Sequence, residues 1–325
     1  VTYEGSKPNY QLDCSIRYIP ERTLHKSKLF RRISPIQRMI RIYDQTKPDI
    51  AISFLPNANV YNVVASRVTK TRCIISERSD PYSEQGVLLN SKRFFYRFAD
   101  GVVFQTEGAK NYYRGRISPL KSEIIPNPIM IDKVSRIAYE DRENIIAHVA
   151  RLDVKQKRQD LMIMAFKRVA QVIPDVTLVF FGDGKDRGLL ERMVSEHGLS
   201  ERVKFAGKTL DVPEKIKNCR LFVSTSDYEG ISNSVLEAMV LGLPVVATDA
   251  SPGGTRMLIE NGYNGVVVPV RDTKALSDSI VHLLRNPDIA DTLGERAQEV
   301  ATRYSPEAII ERWGVFIDRI VSSYR

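Results

Sequence analysis

Short apolar runs alternate with helix-period patterns along most of the chain. Asp49–Leu55, Arg72–Arg78, Gly101–Thr106 and Glu123–Pro126 are nearly unbroken apolar stretches with polar residues at their ends. Such runs predict strands of a parallel sheet covered on both faces. Helical patterns lie between them, at about 58–69, 88–99 and up to Tyr113. A second series follows, with strands predicted over Ile145–Val149, Val176–Phe181, Val203–Phe205, Leu221–Thr225, Val245–Thr248 and Gly265–Val268. Its helices are predicted at about 158–172, 186–197, 212–218, 232–241 and 254–260. After Pro269 the pattern is helical only, over 272–285, 287–302 and 306–323, with Ser305-Pro306 opening the last. Upstream, Cys14–Pro20 predicts a strand, and a helix runs to about Thr46, where Lys47-Pro48 breaks it.

Strand–helix alternation with short connections gives doubly wound α/β sheets. A chain of 325 residues is comfortable for two such units. The expected division is a first domain over 1–128, a linker over 129–142, a second domain over 143–304, and a final helix over 305–325. That helix, around Trp313, is expected to return to the first domain. The chain opens at Val1 without Met and its first strand comes late, so a preceding segment is expected to be missing.

Composition narrows the class. No run reaches the ~18–20 apolar residues of a membrane span, and no signal peptide is visible. Cys14, Cys73 and Cys219 lie far apart and read as thiols in a reducing compartment, not as a metal site or disulfide set. The net charge of +9 is unevenly placed: residues 1–140 carry 23 Lys/Arg against 13 Asp/Glu, and the rest is close to neutral. A basic first half suggests an anionic partner for that half alone: a membrane surface, a lipid phosphate or nucleic acid. Two segments could make the contact. His25–Arg32 holds four basic residues around Leu29 and Phe30, and Lys92, Arg93 and Arg97 interleave with aromatics over Leu88–Ala99. Both fit an interfacial contact, and both fit a core-facing aromatic stripe with solvated charges. No nucleic-acid-binding motif is present.

The candidate chemistry gathers at strand ends, where ligands of open α/β sheets bind. Between Leu221–Thr225 and Val245–Thr248 runs Ser226-Asp-Tyr-Glu-Gly-Ile-Ser-Asn-Ser-Val-Leu-Glu237. Gly230, Ile231, Ser232, Asn233 and Ser234 suit a helix start with free N–H groups, which attracts phosphate. Glu229 precedes that helix, and Glu237 lies one to two turns inside it. A carboxylate at each end of a phosphate-binding helix start suggests a ligand with both phosphate and hydroxyls, and a nucleotide sugar is such a ligand. Arg151 follows the first strand of the second series and Lys157 opens a helix, a fork and a mobile ammonium suited to adjacent phosphates. Gly182-Asp183-Gly184 is a glycine-lined turn that lets a ligand approach the backbone. In the first half, Ser76, Glu77 and Arg78 end a strand and are candidates either for the cleft or for a strand-end salt bridge.

The combined pattern resembles the family-4 retaining glycosyltransferases, which have the GT-B fold of two Rossmann-like domains facing a cleft. The resemblance covers nearly the whole chain. It is strongest from Val149-Ala-Arg-Leu152 through Lys157–Asp160, Phe181–Gly184, Phe205-Ala-Gly207 and Ser226–Ala238 to Asp249. Ile52–Asn59, Ser76-Glu-Arg78 and Ile125-Pro-Asn-Pro128 look like the branch that builds bacterial surface polysaccharides and lipid-linked oligosaccharides. The resemblance implies that Arg151 and Lys157 bind the donor diphosphate and stabilise the leaving group, with the amides of Gly230 to Ser234. Glu229 would face the donor sugar and Glu237 the ribose, with the base near Lys208 and Thr209. It implies a hexose or N-acetylhexosamine donor, with UDP as nucleotide, no cofactor and no metal. The acceptor would be a lipid-linked saccharide or glycan at the inner, cytoplasmic face of the membrane. Two departures stand out: the family's opening strand and glycine-rich loop are not found, and Arg78 occupies the place of the usual cleft His. Arg cannot act as a base. Rival readings are a phosphorylase or nucleotide-sugar epimerase on the same fold, or a catalytically inactive partner binding membrane or nucleic acid. A glycosidase fits less well, because its carboxylate pair leaves Arg151 and Lys157 without a role.

Overall fold

The computed structural model describes residues 13, 15–17, 19, 30–83, 86–131, 136–209 and 211–322. The first half comprises α1 (Phe30–Thr46), β1 (Ile50–Ser53), α2 (Pro56–Thr69), β2 (Arg72–Glu77), α3 (Val87–Phe95), β3 (Gly101–Phe104), α4 (Glu107–Tyr112) and β4 (Ser122–Ile124). The second comprises β5 (Glu143–Val149), α5 (Val154–Lys157), α6 (Gln159–Val172), β6 (Thr177–Phe181), α7 (Arg187–Glu196), β7 (Val203–Gly207), α8 (Val212–Ile216) and β8 (Cys219–Ser224). It continues with α9 (Asn233–Val240), β9 (Val245–Thr248), α10 (Gly254–Leu258), β10 (Val266–Val268), α11 (Thr273–Arg285), α12 (Pro287–Ala297), α13 (Val300–Arg303) and α14 (Pro306–Ser322).

Two wholly parallel sheets result, ordered β1-β2-β3-β4 and β10-β9-β8-β5-β6-β7. In the second sheet the chain leaves β5 toward β6 and β7, then returns to β5's other side at β8. The loops after β5 and β8 therefore part in opposite directions and open a crevice at the strands' carboxyl ends. Arg151 and Glu229 lie on these two loops, so topology brings them together across 78 positions of sequence.

Each face of each sheet carries a core. Ile146, Phe166 and Phe180 lie on one face of the second sheet, and Phe222, Leu236 and Met239 on the other. Tyr96, Phe104 and Tyr113 cover one face of the first sheet. Its other face is covered from the far end of the chain: Ile309, Phe316 and Ile320 of α14 pack on Ile74, Val103 and Ile125. Arg312 of α14 donates to the Ile124 carbonyl, and Arg319 pairs with Glu123 at 3.1 Å.

The sheet departs from expectation at its margin. Asp49–Leu55 was expected to be covered on both faces, yet β1 is an edge strand among the described residues, with Ile52 and Phe54 exposed. Of the expected strand Cys14–Pro20, Cys14, Tyr18 and Pro20 lie outside the described residues, and Ser15, Ile16, Arg17 and Ile19 join no ladder. In the basic segment His25–Arg32, residues 25–29 also lie outside them. The helix expected over 287–302 is broken at Gln298-Glu299, where the Gln298 amide donates to the Val240 carbonyl at 3.0 Å. Cys73 and Cys219 are buried free thiols. No described helix is long and apolar enough to cross a membrane.

Candidate functional site

A cleft of about 1150 Å³ runs between the two sheets' carboxyl ends. Arg151, Lys157, Gly182, Lys208, Thr209, Glu229 to Ser234 and Glu237 all line its second-domain wall. The α9 start is built as the sequence suggests: Ser232 caps it, accepting from Val235 N at 3.5 Å. The backbone N–H groups of Asn233 and Ser234 meet no acceptor among the described residues, so donors and the positive helix end face the cleft. Gly182 has φ +136°, and a Cβ there would sit 2.0 Å from the Ala150 carbonyl, so the strand ends pack backbone to backbone.

The charged groups are held in distinct ways. Lys157 Nζ pairs with Glu229 Oε2, which also accepts from Ser226 Oγ at 3.0 Å. Arg151 is exposed and loosely held, 3.3 Å from Asp153 and 3.4 Å from Gln156, so its fork is free to move onto a ligand. Glu237 is half-buried in the second turn of α9, and its carboxylate accepts no hydrogen bond among the described residues. Burial raises its pKa above the usual carboxylate value. A carboxylate in that state gains from hydroxyl donors.

Below these groups sits His148, fully buried in β5. Thr225 Oγ1 donates to the Lys157 carbonyl at 2.7 Å, so it accepts from Nε2–H of His148 at 3.0 Å. Burial, then the nearby Lys157 charge, pushes the imidazole pKa down to about 3. The ring is therefore a neutral strut that fixes where Lys157 leaves the chain. The bond to Thr225 joins residues 77 apart, so nothing near His148 in the sequence signals it.

The first-domain wall is contributed by Phe54, Leu55, Arg78, Ser79, Asp80, Gln105 and Asn127, with Ile310 and Trp313 of α14. Gln105 and Asn127 follow β3 and β4, so the strand-end rule applied to every strand finds them. Trp313 comes from a returning helix and has no such signal. The walls meet closely. Asn127 donates to Asn233 Oδ1 at 3.1 Å, and a Cβ on Gly230 would lie 2.3 Å from the Gln105 side-chain amide.

Two expected site residues are elsewhere. Glu77 does not reach the cleft. It is the last residue of β2 and points to the side opposite Arg78, as strand alternation requires. Its Oε2 accepts from Lys92 Nζ at 2.6 Å and Tyr96 OH at 3.0 Å; its Oε1 accepts from Ser79 N at 3.0 Å. Lys92 is consequently no membrane contact, because its side chain is fully enclosed in this pair. Arg93 is partly exposed and donates to the Tyr112 hydroxyl. Arg97 remains on the surface, 4.3 and 4.8 Å from the ring centres of Phe94 and Phe98, themselves 50% and 40% exposed. Among the described residues no three His, Cys, Asp or Glu are grouped to hold a metal ion.

A family profile, glycosyl transferases group 1, matches residues 132–300, just over half of the chain. The chain is 24% identical to an uncharacterized glycosyltransferase of Methanocaldococcus jannaschii, over 89% of this chain and 84% of that protein. It is 26% identical to the poly(ribitol-phosphate) α-N-acetylglucosaminyltransferase of Staphylococcus aureus. That match covers 84% of this chain but only 56% of the relative's length. Among solved structures, Anabaena HepE in complex with UDP superposes with a TM-score of 0.76 at 20% identity, over 90% of this chain and 84% of that one. At that identity the likeness carries the fold: two Rossmann-like domains of GT-B type.

Proposed function

The chain belongs to the glycosyl transferases group 1, and on that basis we propose that it moves a hexose or N-acetylhexosamine from UDP to a glycan or lipid-linked saccharide, with retention. The observation that carries the proposal is the convergence of Arg151, Lys157, the α9 start, Glu229 and Glu237 in one cleft. Arg151, Lys157 and the free N–H groups of α9 take the diphosphate. As the bond from anomeric carbon to phosphate oxygen breaks, negative charge grows on that oxygen, and these cations and the helix start stabilise it. Binding of the diphosphate beforehand draws Lys157 away from Glu229, with which it is paired, freeing Glu229 to face the sugar and its developing positive charge. The acceptor oxygen bonds to the anomeric carbon on the face the phosphate leaves, and its proton passes to the departing phosphate oxygen. Glu237 accepts from the ribose hydroxyls, and the base lies by Lys208 and Thr209.

No metal ion takes part, since two cationic side chains and a helix start stand where the phosphate charge falls. UDP is supported by the bound UDP of the HepE structure. A role in bacterial surface polysaccharide goes with this reading, and the S. aureus relative is named for a polymeric acceptor, poly(ribitol phosphate). The first domain rests on the inner, cytoplasmic face of the membrane through Arg97, Phe94 and Phe98.

Thermal unfolding against UDP, GDP, ADP and CMP, in buffer with EDTA, tests the donor site. A ligand at 100 times its Kd adds about 2.7 kcal/mol, a shift of several degrees in Tm. UDP is expected to give that shift, and Glu237→Ala to reduce it. No shift with any nucleotide would overturn the reading.

A further inference from the structure

Arg78 is a cation that the donor site does not use. Its Nε donates to Ser76 Oγ at 2.8 Å, and its Nη1 donates to Asn127 Oδ1. With the Gln105 amide oriented to satisfy both its ends, Nη1 also lies 3.2 Å from the Gln105 oxygen. These partners are all neutral. Among the described residues no carboxylate pairs with Arg78, and its Nη2 donates to nothing. Two cations of the opposite wall differ: Lys157 faces Glu229 and Arg151 faces Asp153. Burial draws the Arg78 pKa down to about 10, so the group is still charged at neutral pH. A half-buried charge among neutral dipoles carries a desolvation cost that an anion would offset.

The surroundings say what else such a ligand brings. The guanidinium carbon lies 5.3 Å from the centre of the Phe54 ring, which is 5.7 Å from Trp313. Phe54, Leu55 and Ile310 are exposed and line the cleft here. This is a cation beside an aromatic and aliphatic platform, on the wall opposite the donor groups.

We propose that Arg78, Phe54 and Trp313 form an acceptor subsite for an anionic polyol or saccharide. Nη2 of Arg78 takes a phosphate or carboxylate next to the accepting hydroxyl, and the two rings carry the carbon skeleton. The subsite rests on the transferase reading, but its test does not depend on turnover.

Trp313 is the chain's single tryptophan, so its fluorescence reports this wall alone. The intact chain, with UDP present, is titrated with ribitol 5-phosphate and ribitol, and with methyl glucuronide and methyl glucoside. A saturable change is expected with an anion, at least tenfold tighter than with its neutral partner. Arg78→Gln is expected to abolish that difference, and Arg78→Lys to keep part of it. Phosphate tighter than glucuronide names a polyol phosphate; the reverse names a uronate. Equal binding of charged and neutral compounds, equal behaviour of Arg78→Gln, or no response to either anion overturns the proposal. The UDP-induced Tm shift of Arg78→Gln, measured alongside, verifies that the variant is folded. A missing UDP shift with the fluorescence difference intact overturns the donor reading and leaves the subsite standing.

Discussion

Lys92 and Glu77 show what a buried pair can do for a neighbouring loop. Enclosing both charges costs several kcal/mol per ion, which the 2.6 Å contact and the bonds from Tyr96 and Ser79 offset. Because Glu77 also holds the Ser79 backbone, the pair sets the start of the loop that presents Arg78. Lys92→Met leaves the carboxylate alone and is expected to cost about 3–5 kcal/mol in urea unfolding. Adding Glu77→Gln is expected to restore much of that loss. A single-variant cost under about 1 kcal/mol would mean that the pair is solvated. Part of this was legible: Lys92 and Tyr96 share a helical face, Arg93 and Arg97 another. Which face turns inward depended on an acceptor at the end of β2, distant in sequence.

At the level of elements, the loop from β8 to α9 is shaped by a glycine on another segment. A Cβ on Gly254, at the start of α10, would lie 1.6 Å from the Gly230 carbonyl oxygen. The backbones of α10 and the Glu229–Ile231 loop therefore touch, and Glu229 N donates to Ser251 O at 2.6 Å. Gly254→Ala is expected to push the loop into the cleft, destabilise the protein by about 1–3 kcal/mol, and weaken the UDP-induced Tm shift. An unchanged shift would show that the loop adapts freely. The elements themselves were readable, since every second-domain strand lies within two residues of its apolar run. The Gly230–Gly254 contact was not, because neither glycine carries a pattern that names its partner.

At the scale of the molecule, α14 ties the end of the chain to the first sheet and brings Trp313 to the cleft. The surface patch of Phe94, Arg97 and Phe98 belongs to this scale too, since it acts only if the first domain meets a surface. Each basic residue near an anionic membrane adds roughly 1 kcal/mol. The combined variant Phe94→Ser, Arg97→Glu and Phe98→Ser is expected to lose about tenfold or more in cosedimentation with phosphatidylglycerol vesicles. Equal sedimentation of the variant, or no preference over phosphatidylcholine vesicles, would sink the membrane contact.

The sequence by itself determined the two alternating α/β series and the loops that carry Arg151, Lys157, Glu229 and Glu237. Those features are local: apolar runs, glycine turns and a helix start are set by residues a few positions apart. Tertiary structure decided which charged groups face the cleft and which are buried. It sent Glu77 and Lys92 inward, left Arg78 in the cleft wall with no carboxylate partner among the described residues, placed His148 under Lys157 and set Trp313 beside Phe54. Each outcome depends on a partner tens to hundreds of residues away, and burial and pairing of a charge follow from that partner's position.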